Sequence, residues 1–324
     1  PGGWPGAPLA CRLIAMIRSM LLWASENRWC SRTLPRYGFV RRAVGRFMPG
    51  EELEDALRAA RKLSDRHGMS ALVTVLGENV ESEEEAKRAA DQYCEVAHRV
   101  SKSGLDAEIS LKPTHLGLDF GIAVAERNMR RVAEAAEEKG SCVWLDMEYS
   151  RYVSATLTLY RALLVDHPRV GICLQSYLRR TPEDLESLIP LGASIRIVKG
   201  AYAEPPTIAL PTRREVDAAL FQQATRLLQP DARRAGVRLG LATHDTSIIR
   251  RVGRWAEEKG VEAGSWEHQM LYGIAEGEQR RLARTGRKVR VLISYGSHWF
   301  AWYARRLAER PANIGFLARN ILPR

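Results

Sequence analysis

Short runs of apolar and β-branched residues recur along the chain with helical patterns between them. They are ALVTVLGE (71–78), AEISLKPT (107–114), CVWLDMEY (142–149), RVGICLQSY (169–177), SIRIVKGAY (194–202), RLGLATHD (238–245), GSWEHQML (264–271) and KVRVLISYG (288–296). The segments linking them, such as IAVAERNMRRVAEAAEEKG (122–140) and DTSIIRRVGRWAEEKG (245–260), carry apolar residues three and four apart and close on glycine, as amphipathic helices do. Eight such units predict an α/β fold, a TIM-type (β/α)8 barrel. Residues 1–66 read as a helical lead-in and 67–324 as the barrel, with WYARRLAER (302–310) as a last helix over its mouth. The longest connection, about 35 residues after Tyr202, holds EPPTIALPTRREV and reads as a loop over that mouth.

Most of these strands are apolar where they begin and polar where they finish. The finishing residues are Glu78, Lys112, Asp146 with Glu148, Gln175, Lys199, Thr243 with His244, and Gln269. In a barrel all C-terminal strand ends meet on one face, where sites are built. That face is rich in cations: Lys112, Arg196, Lys199 and, after the eighth strand, Arg305 and Arg306, with Glu309 one helical turn away to hold a guanidinium. Lys199 followed by Gly200 offers a charge and an approachable backbone to a pyrophosphate, and paired arginines suit a planar carboxylate. A phosphate-bearing cofactor with a carboxylate substrate fits this set; a cofactor-free lyase that forms a Schiff base on Lys112 or Lys199 is the competing enzyme reading.

The formal charge of +11 points to anionic partners. The cations stand singly at strand ends rather than in a stripe interleaved with aromatics, which disfavours nucleic acid. No G-x-G-x-x-G occurs, so a Rossmann dinucleotide domain is not expected. Five scattered cysteines without a C-x-x-C pair, and seven histidines without H-x-x-x-H spacing, predict reduced thiols, a cytoplasmic setting and no metal site. Cys142 and Cys173 sit in apolar runs and read as core residues. LACRLIAMIRSMLLWAS (9–25) is interrupted by Arg12 and Arg18; it reads as an amphipathic helix that docks on the protein's own core or on a membrane surface.

Seven motifs, SLKPTHLG, LDMEYS, GICLQSYLRRT, RIVKGAY, ATHD, QMLYG and YARRLAERPAN, resemble the proline dehydrogenase family in order and spacing, over roughly residues 45 to 320. The resemblance implies a flavin-dependent (β/α)8 barrel that oxidises L-proline to 1-pyrroline-5-carboxylate by hydride transfer from C5 to the N5 of FAD. Carried over by position, Arg196 matches the arginine at flavin N5 and Asp146 the active-site aspartate. Lys199, Gly200 and Ala201 match the pyrophosphate contacts, Met147 and Gln175 the flavin-ring neighbours, and Thr243 and His244 the adenosine end. Lys112, Arg305 and Arg306 match the carboxylate clamp, Glu309 orients the arginine pair, and Tyr202 closes a pocket wall. The resemblance further implies a quinone or membrane electron acceptor, peripheral contact with the inner face of the membrane, and functional coupling to a pyrroline-5-carboxylate dehydrogenase.

The chain departs from the family pattern in strand eight. LISYG places Leu292 where a tyrosine packs on the substrate ring and Ser294 where proline is usual. A larger, apolar pocket is the expectation, open to proline or to another cyclic amine acid such as hydroxyproline. Asp245 stands where asparagine is common, adding negative charge near the phosphates unless it faces away. His268 stands where an aromatic is common and reads as a core or rim residue.

Overall fold

A computed structural model of the chain describes residues 47–297 and 299, apart from 78 and 139. Eight parallel strands close into one barrel in sequence order. They are β1 (Ser70–Val75), β2 (Ala107–Leu111), β3 (Val143–Leu145), β4 (Val170–Gln175), β5 (Ser194–Val198), β6 (Arg238–Ala242), β7 (Glu267–Leu271) and β8 (Lys288–Tyr295). Closure is made by β8 pairing β1, from Ser70 opposite Arg290 to Val75 opposite Tyr295. The helices are α1 (Leu53–His67), α2 (Glu83–Ser103), α3 (Ile122–Glu137), α4 (Val153–Asp166), α5 (Thr181–Leu188), α6 (Arg213–Leu227), α7 (Pro230–Arg234), α8 (Thr246–Glu258) and α9 (Glu276–Arg284).

Local chemistry sets these boundaries. Ser82 accepts a hydrogen bond from the Glu85 amide (3.2 Å) to start α2, whose first turn carries Glu83, Glu84 and Glu85, a favourable placement at the positive end of a helix. Thr212 and Glu215 form a reciprocal capping box at the start of α6. That box corrects the expected 35-residue loop after Tyr202: the helix begins at Arg213 and the irregular stretch is only 199–212. The third strand is likewise shorter than its apolar run, because the chain leaves the sheet after Leu145.

The main core lies between the outer strand faces and the helices. Val73, Ile109, Leu145, Ile172, Ile197, Leu241, Met270 and Val291 are buried there. Helix α1 packs on β8 and β1, across the seam where the barrel closes. Trp299, after β8, donates from Nε1 to Glu51 just before α1 (3.1 Å) and holds the two chain segments together at that seam.

The inner face is a different environment. Side chains alternate across a strand, so Glu108 and Ser110 share the interior with Trp144, Cys173, Arg196, Arg238, Glu267, Gln269, Arg290 and Leu292. Room for them comes from glycine: a Cβ on Gly240 would lie 2.7 Å from Gln269 Nε2. The lower layer is an ion cluster in which Arg238 meets the buried Glu108 (2.8 Å) and Glu267 (2.9 Å), and Arg290 meets Glu267 (3.2 Å) and, at the exposed edge, Asp106 (3.0 Å). Above it, Leu72, Cys142 and Trp144 form a small apolar layer on which Leu292 packs.

Candidate active site at the C-terminal face

Arg196 is the centre of the upper interior. It is 5% exposed, and its guanidinium is held across the barrel by side chains on β2, just after β3 and on β7, none of them strands that pair with β5. Nη1 donates to Asp146 Oδ1 (2.5 Å) and to Ser110 Oγ (2.9 Å), while Nε donates to Gln269 Oε1 (2.5 Å). Ser110 also donates to Asp146 (2.9 Å). The guanidinium lies over the Trp144 ring, 4.9 Å from its centroid, and Trp144 is itself anchored through Nε1 to Glu108 (2.6 Å). Nη2 alone is buried without a hydrogen-bond partner among the described residues. A buried donor left unsatisfied costs free energy, so this atom is a natural contact for a bound group.

The neighbouring strand presents the complementary group. Gln175, at the end of β4, donates from Nε2 to the Met147 carbonyl (3.2 Å), and its Oε1 is buried with no partner among the described residues. Met147 is itself buried. An unpartnered donor and an unpartnered acceptor on adjacent strands suit a heterocycle with both kinds of edge atom.

The loop beyond β5 holds the other predicted cofactor residues. Gly200 takes φ +107°, and a side chain there would run into the Tyr177 ring, so backbone closely approaches whatever lies at this turn. Ala201 is exposed and Tyr202 half-buried. The Tyr202 ring packs tilted against Tyr149 at 4.2 Å between centroids, and the Ser150 amide donates to Glu204 (2.7 Å), tying this loop to the one after β3.

Lys199 is not an open cation. Its Nζ lies 2.8 Å from Asp245 and 2.5 Å from Asp217. Asp245 does not face away, as one of the two sequence expectations for it had it; it caps α8 by accepting from the Ser247 amide (3.1 Å) and pairs with Lys199 at the same time. Burial alone would raise its carboxyl, but the bonds from Lys199 and Ser247 outweigh this and hold it well below the usual carboxylate range.

The rest of the rim is set by short local bonds. Lys112 is half-buried at the end of β2, where Pro113–Leu116 turns in a 3₁₀ helix. Glu148 clamps that turn, accepting from the Thr114 amide (3.0 Å) and hydroxyl (2.7 Å). Thr243 is buried and bonds its own turn through the Asp245 amide (3.2 Å). His244 accepts at Nε2 from the Leu271 amide (2.9 Å), which places its ring proton on Nδ1. Leu292 is partly exposed above Trp144.

At one end of the barrel the structure brings together the strand-end residues Lys112, Asp146, Glu148, Gln175, Lys199, Thr243 and His244 with Arg196 and Gly200 from the same runs and Met147, which the family resemblance adds. Arg305, Arg306, Glu309, Glu78 and the last helix lie outside the described residues. Gln269, expected at a strand end, is one layer deeper, and with Ser110, Trp144 and Glu267 it belongs to the site's support rather than its rim. Their signal was alternation: Glu108, Ser110 and Lys112 fall two apart, as do Glu267 and Gln269.

Other chemistry is unsupported. Burial pushes the Cys142 and Cys173 thiols up to about 12, so both stay protonated and inert, as expected of core residues. His268 is buried against Trp266, 4.6 Å between ring centroids, as a core residue. Among the described residues no group of His, Cys, Asp and Glu is arranged to hold a metal, and no helix is long and apolar enough to cross a membrane.

Residues 56–319 match the family model for proline dehydrogenase. The chain belongs to the proline dehydrogenase family. Membership is supported by a Bacillus subtilis subsp. natto protein, proline dehydrogenase 1, 34% identical over 307 residues that cover 95% of this chain and 99% of the relative. A Deinococcus radiodurans proline dehydrogenase is 36% identical over 282 residues, 86% of this chain and 89% of the relative. The barrel also matches the crystal structure of proline utilization A from Bdellovibrio bacteriovorus inactivated by N-propargylglycine, with a TM-score of 0.80 and 24% identity. This chain is 97% covered in that match but spans 39% of that longer chain, and the likeness bears on the fold alone.

Proposed function

We propose that this protein oxidises L-proline to 1-pyrroline-5-carboxylate with FAD as its cofactor, the first step of proline breakdown. The observation that carries the reading is the Arg196 guanidinium, fixed on three sides with Nη2 unpartnered, on the strand next to that of the unpartnered Gln175 Oε1. Bound FAD supplies the hydride acceptor, its N5. The residues present fit such a group: Arg196 Nη2 and Gln175 Oε1 would meet the edge of the ring system, Met147 would pack beside it, Gly200 and Ala201 would bring backbone to the pyrophosphate with Lys199, and Thr243 and His244 would flank the adenosine.

With the cofactor bound, Arg196 would hold a fixed positive charge beside it, in a buried setting with little reorganisation. Asp146 keeps that guanidinium in place and balances it when no cofactor charge is present. Lys112 clamps the proline carboxylate, the family pattern assigns Arg305, Arg306 and Glu309 to the same clamp, and Tyr202 and Leu292 wall the ring. Catalysis in this arrangement is mainly positioning. Electrons leave to a quinone or membrane acceptor; exposed Phe120, Ile122, Tyr149 and Ile208, each between a strand's end and the first turn of the helix after it, support a peripheral contact at this end of the barrel. The imine product passes to a pyrroline-5-carboxylate dehydrogenase.

The test is the anaerobic visible spectrum of protein reconstituted with FAD. Bleaching of the flavin band by L-proline is the expected result. No flavin band after reconstitution, or a band that proline leaves intact, overturns the reading.

A further inference from the structure

Two residues below the proposed cofactor edge have no rim position and no place in substrate binding. Gln269 lies between Arg196 and Glu267 on the inner face of the barrel. Its Oε1 accepts from Arg196 Nε (2.5 Å) and its Nε2 donates to Glu267 Oε1 (2.7 Å). A guanidinium can only donate and a carboxylate can only accept, so a single amide orientation satisfies both neighbours. Turned over, the amide would set its NH₂ against the Arg196 N–H and its oxygen against the Glu267 carboxylate.

A single orientation requires an ionised Glu267. Burial alone would raise its carboxyl, but the fields of Arg290 and Arg238 outweigh burial and hold it below the usual carboxylate range. Arg290 at 3.2 Å and Arg238 at 2.9 Å are in turn held by Asp106 and Glu108. Glu108 also anchors Trp144, the ring beneath the Arg196 guanidinium. Both the edge and the underside of that guanidinium are thus traced to the ion cluster.

We propose that Glu267 and Gln269 are positioning residues that fix the plane of the Arg196 guanidinium and so aim Nη2 at the redox-active edge of the cofactor. The inference rests on the reading that Arg196 faces the flavin. Neither residue touches substrate; their effect is on the electrostatics of the bound cofactor, so the readouts are its midpoint potential and the affinity of sulfite, an anion that adds to flavin N5.

The experiment compares FAD-reconstituted wild type with Gln269→Leu, Glu267→Gln, the exchange of the two (E267Q with Q269E) and Arg196→Lys. In Gln269→Leu and Glu267→Gln, sulfite is expected to bind about ten-fold more weakly, the order of one charge-assisted hydrogen bond. The two-electron potential then falls by about 30 mV, the equivalent of that factor. In the exchange variant the carboxylate now at position 269 accepts from Arg196 and the amide now at position 267 donates to that carboxylate, so both quantities return to within about three-fold of wild type. An exchange variant that stays at the level of the single variants assigns the loss to packing and overturns the proposal. So do single variants that match wild type while Arg196→Lys shifts both readouts. If Arg196→Lys moves neither, the placement of Arg196 at the flavin has failed, and this proposal falls with it. Should Glu267→Gln or the exchange variant not fold, with Arg238 and Arg290 short of a partner in both, Gln269→Leu against Arg196→Lys decides, since both keep the Glu267 carboxylate in the cluster.

Discussion

Lys199 Nζ sits 2.8 Å from the Asp245 carboxylate that also caps α8. The cation assigned to the cofactor phosphates is therefore already paired, and Asp217 at 2.5 Å pairs it a second time. A pyrophosphate bound as proposed would share Lys199 with two carboxylates, one of them at a position where the family resemblance leads one to expect asparagine.

Asp245→Asn removes one of those charges and keeps a good helix cap, since asparagine caps about as well as aspartate. FAD is expected to bind about three- to ten-fold more tightly, most clearly at low ionic strength. Fluorescence titration of FAD into cofactor-free protein measures it; unchanged or weaker binding would place the phosphates away from Lys199.

Lys112 stands at the rim, and its proposed role is to hold the substrate carboxylate in ground state and transition state alike. Lys112→Met should then raise KM for proline by about ten-fold or more with kcat changed far less, the signature of uniform binding. Steady-state kinetics with a quinone analogue as acceptor separates the two parameters. A fall confined to kcat would instead put Lys112 at the chemical step.

Leu292 packs over the Leu72, Cys142 and Trp144 layer with its other side open. Leu292→Tyr adds a ring to that wall and narrows the pocket. The ratio of kcat/KM for proline over trans-4-hydroxyproline is expected to rise by about ten-fold, a reasonable yield for steric exclusion of one small group. An unchanged ratio would mean that the side chain at 292 does not meet C4 of the substrate.

His268 supplies a pH prediction. Burial, aided by the Arg287 charge, lowers its pKa to about 3, against about 6.5 in an unfolded chain. The native state thus refuses a proton that the unfolded state takes, so stability is complete above about pH 6.5 and falls as pH drops toward 3. Between pH 7.5 and pH 5, wild type should lose about 1 to 2 kcal/mol more than His268→Phe. Urea unfolding at the two pH values measures the difference, and parallel losses would show that His268 takes its proton without unfolding.

How much of this was legible in the sequence follows from the two periodicities. Apolar runs broken by three-and-four-spaced helices specify eight parallel strands, because a strand buried on its outer face must read as apolar and its partner helix as one-sided. Polar residues at the strand ends specify where the site lies, because those ends can meet only on one face. Both were readable residue by residue, from Lys112 through His244, and the family motifs lay on the same positions.

Partnership across the barrel was not readable. Arg196 and Gln269 are 73 positions apart in sequence, Ser110 and Arg196 86, and Lys199 and Asp245 46; each pair exists only because closure sets the strands in register. The sequence by itself determined the fold class, the face on which the polar strand ends meet and the cations proposed to act there. Tertiary structure alone decided which of those charges are spent on each other: Lys199 on Asp245 and Asp217, Arg196 on Asp146 through Nη1, with Nη2 left over. The reason is that Coulomb and hydrogen-bond interactions depend on distances of a few ångströms in a buried interior, and such distances are fixed by packing.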